Sequence, residues 1–353
     1  MTCATGPRPV AGRATGSYRR GMEPTSARPV ALVAGASRGL GLLVAENLAE
    51  QGHDVAVCAR NLEETRRGAQ QAESEARSAQ GAGAGRVVPY ACDVSDREGV
   101  QALVRQVEQD LGPVEVLIHV AGIIQVGPAE TMTFGHFDDA VGVMLMGPVN
   151  TVWSVLPGMR ERGHGRIGVV TSIGGKVSPP HLLPYATAKF GAVGFTEGLS
   201  SELQGTGVTA TTIVPGLMRT GSHENALFTG DRAAEFAWFG PAASLPLLTM
   251  DARRAARKMV DGVLAGRPHV VLTPMAKIGI RVHGLMPSTT VRVMGLANRL
   301  LPGAPPDQDA SRPVKGRVAA RQLSTGVVDK LTVLGQRAAE RLNQRGRGAS
   351  TTE

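Results

Sequence analysis

From Pro29 onward, short apolar runs alternate with longer stretches that repeat hydrophobic residues at helical spacing. VALVA (30–34), DVAVCA (54–59), RVVPY (86–90), VEVLIHV (114–120), RIGVVTS (166–172), GVTATTIV (207–214) and HVVLT (269–273) predict seven strands. Between them the pattern predicts helices at about 39–51, 62–79, 96–111, 134–162, 184–204 and 251–265. Strands that are apolar on both faces, each followed by a helix, belong to a parallel sheet covered on both sides. The expected fold is α/β, a doubly wound seven-stranded parallel sheet over residues 29–273.

After residue 273 the strand pattern stops, and residues 274–353 read as a helical, basic C-terminal extension interrupted by Pro287 and Pro302. Within it PDQDASRP (306–313) reads as a linker. Residues 326–345 read as an amphipathic helix with Val328, Leu331, Leu334, Ala338 and Leu342 on its apolar side. Residues 1–28, rich in Gly, Pro, Arg and Thr, read as a disordered basic tail, and Met22 offers an alternative start.

The formal charge of +8 is carried by the ends: +4 in residues 1–28 and +6 in 311–353, leaving −2 for 29–310. With only 3% aromatic residues and no basic face on the sheet domain, a nucleic-acid surface is not expected. Cys3, Cys58 and Cys92 form no CxxC or metal-ligand spacing, which suits a reducing compartment, with Cys58 and Cys92 as small core residues. No continuous apolar run reaches the ~18 residues of a membrane span, and the N-terminal stretch lacks an export-type hydrophobic segment. A cytoplasmic protein is expected, with membrane association kept open below.

The first strand runs directly into AGASRGLG (34–41) and then a helix, placing Gly35, Gly39 and Gly41 where a dinucleotide pyrophosphate meets a helix N-terminus. At the end of the second strand an NAD site would carry a carboxylate, but Ala59 stands there with Arg60 next to it. Arg60, together with Arg38 in the glycine loop, favours the 2′-phosphate of NADP(H). These are expectations for a Rossmann-type cofactor domain.

Across residues 29–273 the chain resembles the short-chain dehydrogenases/reductases, on AGASRGLG, the CDV of 92–94, the VAG of 120–122, Ser172, YATAK (185–189) and PGLMRT (215–220). The resemblance implies a catalytic set of Ser172, Tyr185 and Lys189. It also implies a cofactor site built from Gly35, Ser37, Arg38, Gly39, Leu40, Gly41, Arg60, Asp93, Val94, Ala121, Gly122, Tyr185, Lys189, Pro215, Gly216 and Thr220. Tyr185 and Lys189 share a helix face at i, i+4, and a nearby ammonium and oxidised nicotinamide are expected to lower the phenol pKa by roughly 1–3 units. Ser172 is expected to donate to the substrate oxygen.

Two departures stand out. Where the family carries a helix-kinking asparagine that orders a water for the lysine, this chain has Met144, and the family's NNAG is HVAG, with His119 and Val120 for the asparagines. They leave a rival expectation, a catalytically weak or inactive NADP-binding protein that acts as a sensor or interaction partner. His119 is expected to be a hydrogen-bonded core residue, His181 a loop histidine without a role, and no metal site is expected.

The loops expected to close over the site, including 223–248 with Phe236, Trp238 and Phe239, are apolar and suggest a bulky lipophilic carbonyl or alcohol. The basic, apolar stretch 276–303 can lie on a membrane surface, though packing on its own core or on a partner is the commoner use of such a segment. The resemblance further implies a homodimer or homotetramer formed through the helices at 134–162 and 184–204.

Overall fold

The computed structural model describes residues 28–244, 249–323 and 326–345. The basic tail expected at 1–28 lies, apart from Arg28, outside the described residues, as does Cys3. The seven strands are β1 (Val30–Ala34), β2 (Asp54–Ala59), β3 (Val87–Ala91), β4 (Val114–His119), β5 (Gly165–Val170), β6 (Val208–Val214) and β7 (His269–Val271). They form one sheet in the order β7-β6-β5-β4-β1-β2-β3, with every pair parallel. The winding reverses between β1 and β4, which opens a crevice at their carboxyl ends.

Eight helices follow in chain order: α1 (Gly39–Glu50), α2 (Leu62–Gln80), α3 (Arg97–Asp110), α4 (Phe134–Val141), α5 (Gly147–Arg162), α6 (Leu183–Glu202), α7 (Arg232–Ala242) and α8 (Ala252–Leu264). Asn61, Asp96, Asp231 and Asp251 cap α2, α3, α7 and α8 by accepting from first-turn N–H groups that have no partner within the helix. Apolar residues of α1, α2 and α8 cover one face of the sheet, and those of α3, α5 and α6 the other. Cys58 and Cys92 are buried, and burial pushes their thiols up to about 12 and about 11, so both behave as inert core residues.

The helix expected at 134–162 is broken by a π-helical turn, Gly142–Met146, between α4 and α5. By length and composition the segment Phe134–Arg162, 29 residues holding an 18-residue window of mean hydropathy 1.4, could cross a membrane, which a search for unbroken apolar runs misses. Half of its apolar window is buried, and α5 packs on α3, β4 and β5, as a core helix does.

The extension holds α9 (Pro274–Leu285), α10 (Pro287–Asn298), α11 (Gly316–Arg321) and α12 (Gly326–Arg341). The expected linker at 306–313 is instead an ordered connection. Arg232 donates to the carbonyls of Asp309 and Arg312, and the next residues, Val314–Lys315, pair antiparallel with Leu227–Phe228. The buried side of α12 is the expected one only in part: Val328, Ala338 and Leu342 pack on the core, but Leu331 and Leu334 are each 41% exposed, and Thr332, Gly335 and Ala339 face inward in their stead. Close approach decides this, because a Cβ on Gly335 would lie 2.4 Å from the His223 ring and one on Gly221 would lie 2.5 Å from Ala339.

Candidate active site

Ser172 ends the segment leaving β5, and its hydroxyl oxygen accepts from the Gly174 N–H (3.0 Å). Ile173 N–H donates to the Pro215 carbonyl (2.9 Å), which ties this turn to the 215–220 segment. One helical turn separates Tyr185 from Lys189 on α6, so both reach the same crevice. The Lys189 ammonium, 4% exposed, donates to the Val170 carbonyl (2.8 Å) and lies 5.9 Å from the centre of the Tyr185 ring.

In the protein alone, burial sets the electrostatics of the pair. Burial raises Tyr185 above its ordinary value, and a hydrogen bond with Ser172 opposes the rise without reversing it. Burial also pushes Lys189 down to about 8. Desolvation disfavours tyrosinate and ammonium alike, and the ammonium bonds the Val170 carbonyl. The phenol therefore stays protonated at neutral pH.

Met144 sits inside the π-helical turn at 1% exposure, packed with Ala140 and Ala188, and Tyr185 leans on the same cluster. A Cβ on Gly122 would lie 3.5 Å from the Met144 sulfur and 3.8 Å from Lys189 Nζ, so thioether and ammonium both border this glycine. The helix is thus bulged without the asparagine. His119, 1% exposed, bonds Thr151 through Nδ1 (3.1 Å), and burial together with the Lys189 charge pushes it down to about 3. It is a neutral core residue, as expected.

The glycine loop fits a dinucleotide. Gly35 adopts φ +87°, and a Cβ there would lie 2.5 Å from the Ala121 backbone, while one on Gly41 would lie 2.1 Å from the Gly35 carbonyl oxygen. Only glycine permits that turn and that packing of α1 on the loop. Ala121 N–H is held by the Ala34 carbonyl, Gly122 follows it, and Ser37 and Leu40 are buried at the start of α1. Asp93, just after β3, is pushed up by burial but held below the usual range by the Ser95 hydroxyl and N–H and by the Arg60 charge, with Val94 buried next to it. Arg60 is exposed, whereas Arg38 pairs with Glu64 at 3.2 Å, which leaves Arg60 as the freer guanidinium. Across the crevice, a Cβ on Gly216 would meet the Thr273 hydroxyl at 2.4 Å, and the buried Thr220 hydroxyl accepts from Ser222 N–H (3.3 Å).

The far end of the chain covers the loop. Leu342 O accepts from the Gly39 N–H (2.8 Å), and Asn343, at φ +54°, donates through Nδ2 to the carbonyls of Ser37 (2.8 Å) and Glu64 (3.3 Å). Gln344 fills the space where a Gly39 side chain would be and is held by Asn225 (2.8 Å). Arg345 closes a two-pronged ion pair on Glu224 (2.8 and 2.6 Å). The one signal for this cover was the amphipathic stretch at 326–345, which does not say where it docks.

On the substrate side, Phe236 and Phe239 do not line an open pocket. They are buried edge-on against Phe228, with ring centres 5.6 and 5.8 Å apart, in a cluster on which Ile124 and Tyr185 also lean. An apolar wall therefore reaches the phenol. His181, at φ +60°, is buried and bonds Glu235 through Nδ1 (2.7 Å), and Trp238 donates to the other carboxylate oxygen (2.8 Å), so this histidine fixes α7 to the loop before α6. Residues 245–248 of the same apolar segment lie outside the described residues.

The model of the short chain dehydrogenase family matches residues 29–228. A Streptomyces coelicolor protein named as a ketoacyl reductase is 39% identical over 193 residues, which is 54% of this chain and 71% of that one. Actinorhodin polyketide ketoreductase, solved as a point variant with NADPH, is 30% identical with a TM-score of 0.60, covering 71% of this chain and 97% of that one. A short-chain dehydrogenase from Streptomyces avermitilis is 26% identical with a TM-score of 0.62, covering 77% and 98%. The parallel sheet agrees with these matches, and the chain belongs to the short-chain dehydrogenase/reductase family of oxidoreductases.

Proposed function

We propose that the protein is an NADPH-dependent reductase that interconverts a lipophilic ketone or aldehyde and its alcohol. The observation that carries this reading is the meeting of Ser172, Tyr185 and Lys189 at the mouth of the crevice, with the phenol kept protonated by burial. The choice of NADPH is supported by Arg60 beside Asp93, by Ala59 in place of a carboxylate, and by the NADPH named for the actinorhodin ketoreductase.

When bound, NADPH supplies the hydride. The Ser172 oxygen accepts from Gly174 N–H, and its hydroxyl, which hydrogen-bonds Tyr185, would turn its proton to the carbonyl oxygen and steady the charge that develops there. Tyr185 delivers its proton to the same oxygen as the alcohol forms. Lys189, 5.9 Å from the ring, offsets the tyrosinate charge left behind. The wall of Ile124, Phe236 and Phe239 keeps water from the phenol and favours an apolar substrate. Assembly through α5 and α6, which expose Trp153 and Phe190, and a cytoplasmic setting complete the proposal.

The rival reading, a cofactor-binding protein without turnover, is favoured by the thioether beside Lys189 and by the turn resting on Gly39. Steady-state oxidation of NADPH and NADH against retinal, ketosteroids, aromatic diketones and quinones separates the two. Turnover of at least one carbonyl with preference for NADPH is expected. Tight NADPH binding with no turnover on any compound would favour the rival.

A further inference from the structure

Helices α9 and α10 pack on each other, but the rest of the described protein hardly covers them. Ala276 is the only buried residue of α9 and Thr290 the only one of α10. Nine of the sixteen exposed large hydrophobic residues among the described residues fall in 274–303. On α9, Ile278, Val282 and Leu285 follow helical spacing along one stripe, on α10 Val293 and Leu296 do the same, and exposed Leu300 follows in the turn after α10. Of the commoner expectation, packing on its own core or on a partner, the first is therefore not what the chain does.

Charge identifies the occupant. Residues 274–303 carry Lys277, Arg281, Arg292 and Arg299, all exposed, and contain no aspartate or glutamate. In a two-fold contact between copies the same patch meets itself, so these cations would face cations. An anionic bilayer offers an apolar interior for the stripes and negative headgroups for the flanking cations. Where α9 touches the body, Gly279 lies against Ile173 and Val177, the turn that follows Ser172.

We propose that the α9–α10 hairpin docks the protein on anionic membrane surfaces and sets the Ser172 turn next to the lipid. Docking itself does not depend on the reductase reading. If both hold, the bilayer is the source of the lipophilic carbonyl.

Flotation of the full chain with vesicles tests it, without NADPH or substrate, so that a negative result leaves the turnover assay untouched. The vesicles are phosphatidylcholine alone or phosphatidylcholine with about a quarter phosphatidylserine. The protein should float with the anionic vesicles, less so as salt rises, and stay behind with the neutral ones. Replacing all four cations (Lys277→Gln, Arg281→Gln, Arg292→Gln, Arg299→Gln) should weaken binding by at least ~100-fold, at about fivefold per charge. The triple substitution Ile278→Ser, Leu285→Ser, Leu296→Ser should abolish flotation, with unchanged circular dichroism melting showing that these exposed positions do not hold the fold. The proposal is overturned if wild type floats with neither vesicle or equally with both, or if the triple variant floats as wild type does. It is also overturned if the triple variant instead halves the mass in solution while neither protein floats, which would make this face an interface between copies.

Discussion

The floor of the crevice, Ser172, Tyr185 and Lys189, spans only residues 172 to 189 and is held by β5, α6 and the turn between them. Its cover comes from the far end of the chain: Asn343 reaches Ser37 across 306 positions, and Leu342 occupies the Gly39 N–H. The floor lies inside the family match at 29–228 and the cover lies beyond it. The difference suggests a division of labour, in which the floor sets the chemistry and the cover adjusts access to the cofactor loop. Substitutions in the floor should therefore change turnover, and those in the cover should change binding.

The largest expected effect within this comparison is that of Lys189→Met, which should lower kcat/KM by ~100-fold or more, since it removes a buried charge from the proton-transferring pair. The wild-type pH profile should carry the same signature. Reduction uses Lys189 as ammonium and Tyr185 as phenol, and burial lowers the lysine to about 8 while raising the tyrosine. Reductive kcat/KM should stay level through neutral pH and fall as pH rises past about 8. A profile level to pH 10 would separate Lys189 from the floor.

Next in size, Arg60→Ala should cut the preference for NADPH over NADH by about tenfold, the worth of a charge-assisted contact, with little change in kcat. Ending the chain after Arg341 frees the Gly39 N–H and removes the Arg345 pair on Glu224. Fluorescence titration should then show NADPH bound about fivefold more tightly, the equivalent of one hydrogen bond no longer displaced. A lower Tm should accompany it. Weaker NADPH binding would instead make the turn a part of the cofactor site. The smallest effect belongs to Met144→Asn, because the π-helical turn forms without an amide. Its kcat should change less than about threefold, while burying an amide in the Ala140 and Ala188 cluster should cost ~1–2 kcal/mol of stability, measured by denaturant unfolding.

The sheet was legible because each strand is a short run rich in apolar and β-branched residues, and every predicted end lies within two residues of the one found. Tyr185 and Lys189 were legible because they share one helix face, and Gly35 and Gly41 because a strand precedes them and a helix follows. The π-helical turn was hidden, since neither Met144 nor its neighbours break the helical period. Phe236 and Phe239 looked like pocket lining because apolarity alone cannot tell a wall from a core. The face of α12 was legible in Val328, Ala338 and Leu342 but not in Leu331 and Leu334, because part of its contact is set by what is small, Gly335 against His223 and Ala339 against Gly221. Burial of the phenol, which raises its pKa in the protein alone, depends on neighbours that come together only in the fold.

The most direct test is to compare wild type and Tyr185→Phe on one carbonyl that wild type reduces, measuring NADPH binding and NADPH oxidation side by side. The account predicts that the variant binds NADPH within about threefold of wild type and loses turnover by ~10²–10⁴-fold, the range for a positioned acid. Turnover within tenfold of wild type, with binding intact, would contradict it and place the proton donor elsewhere.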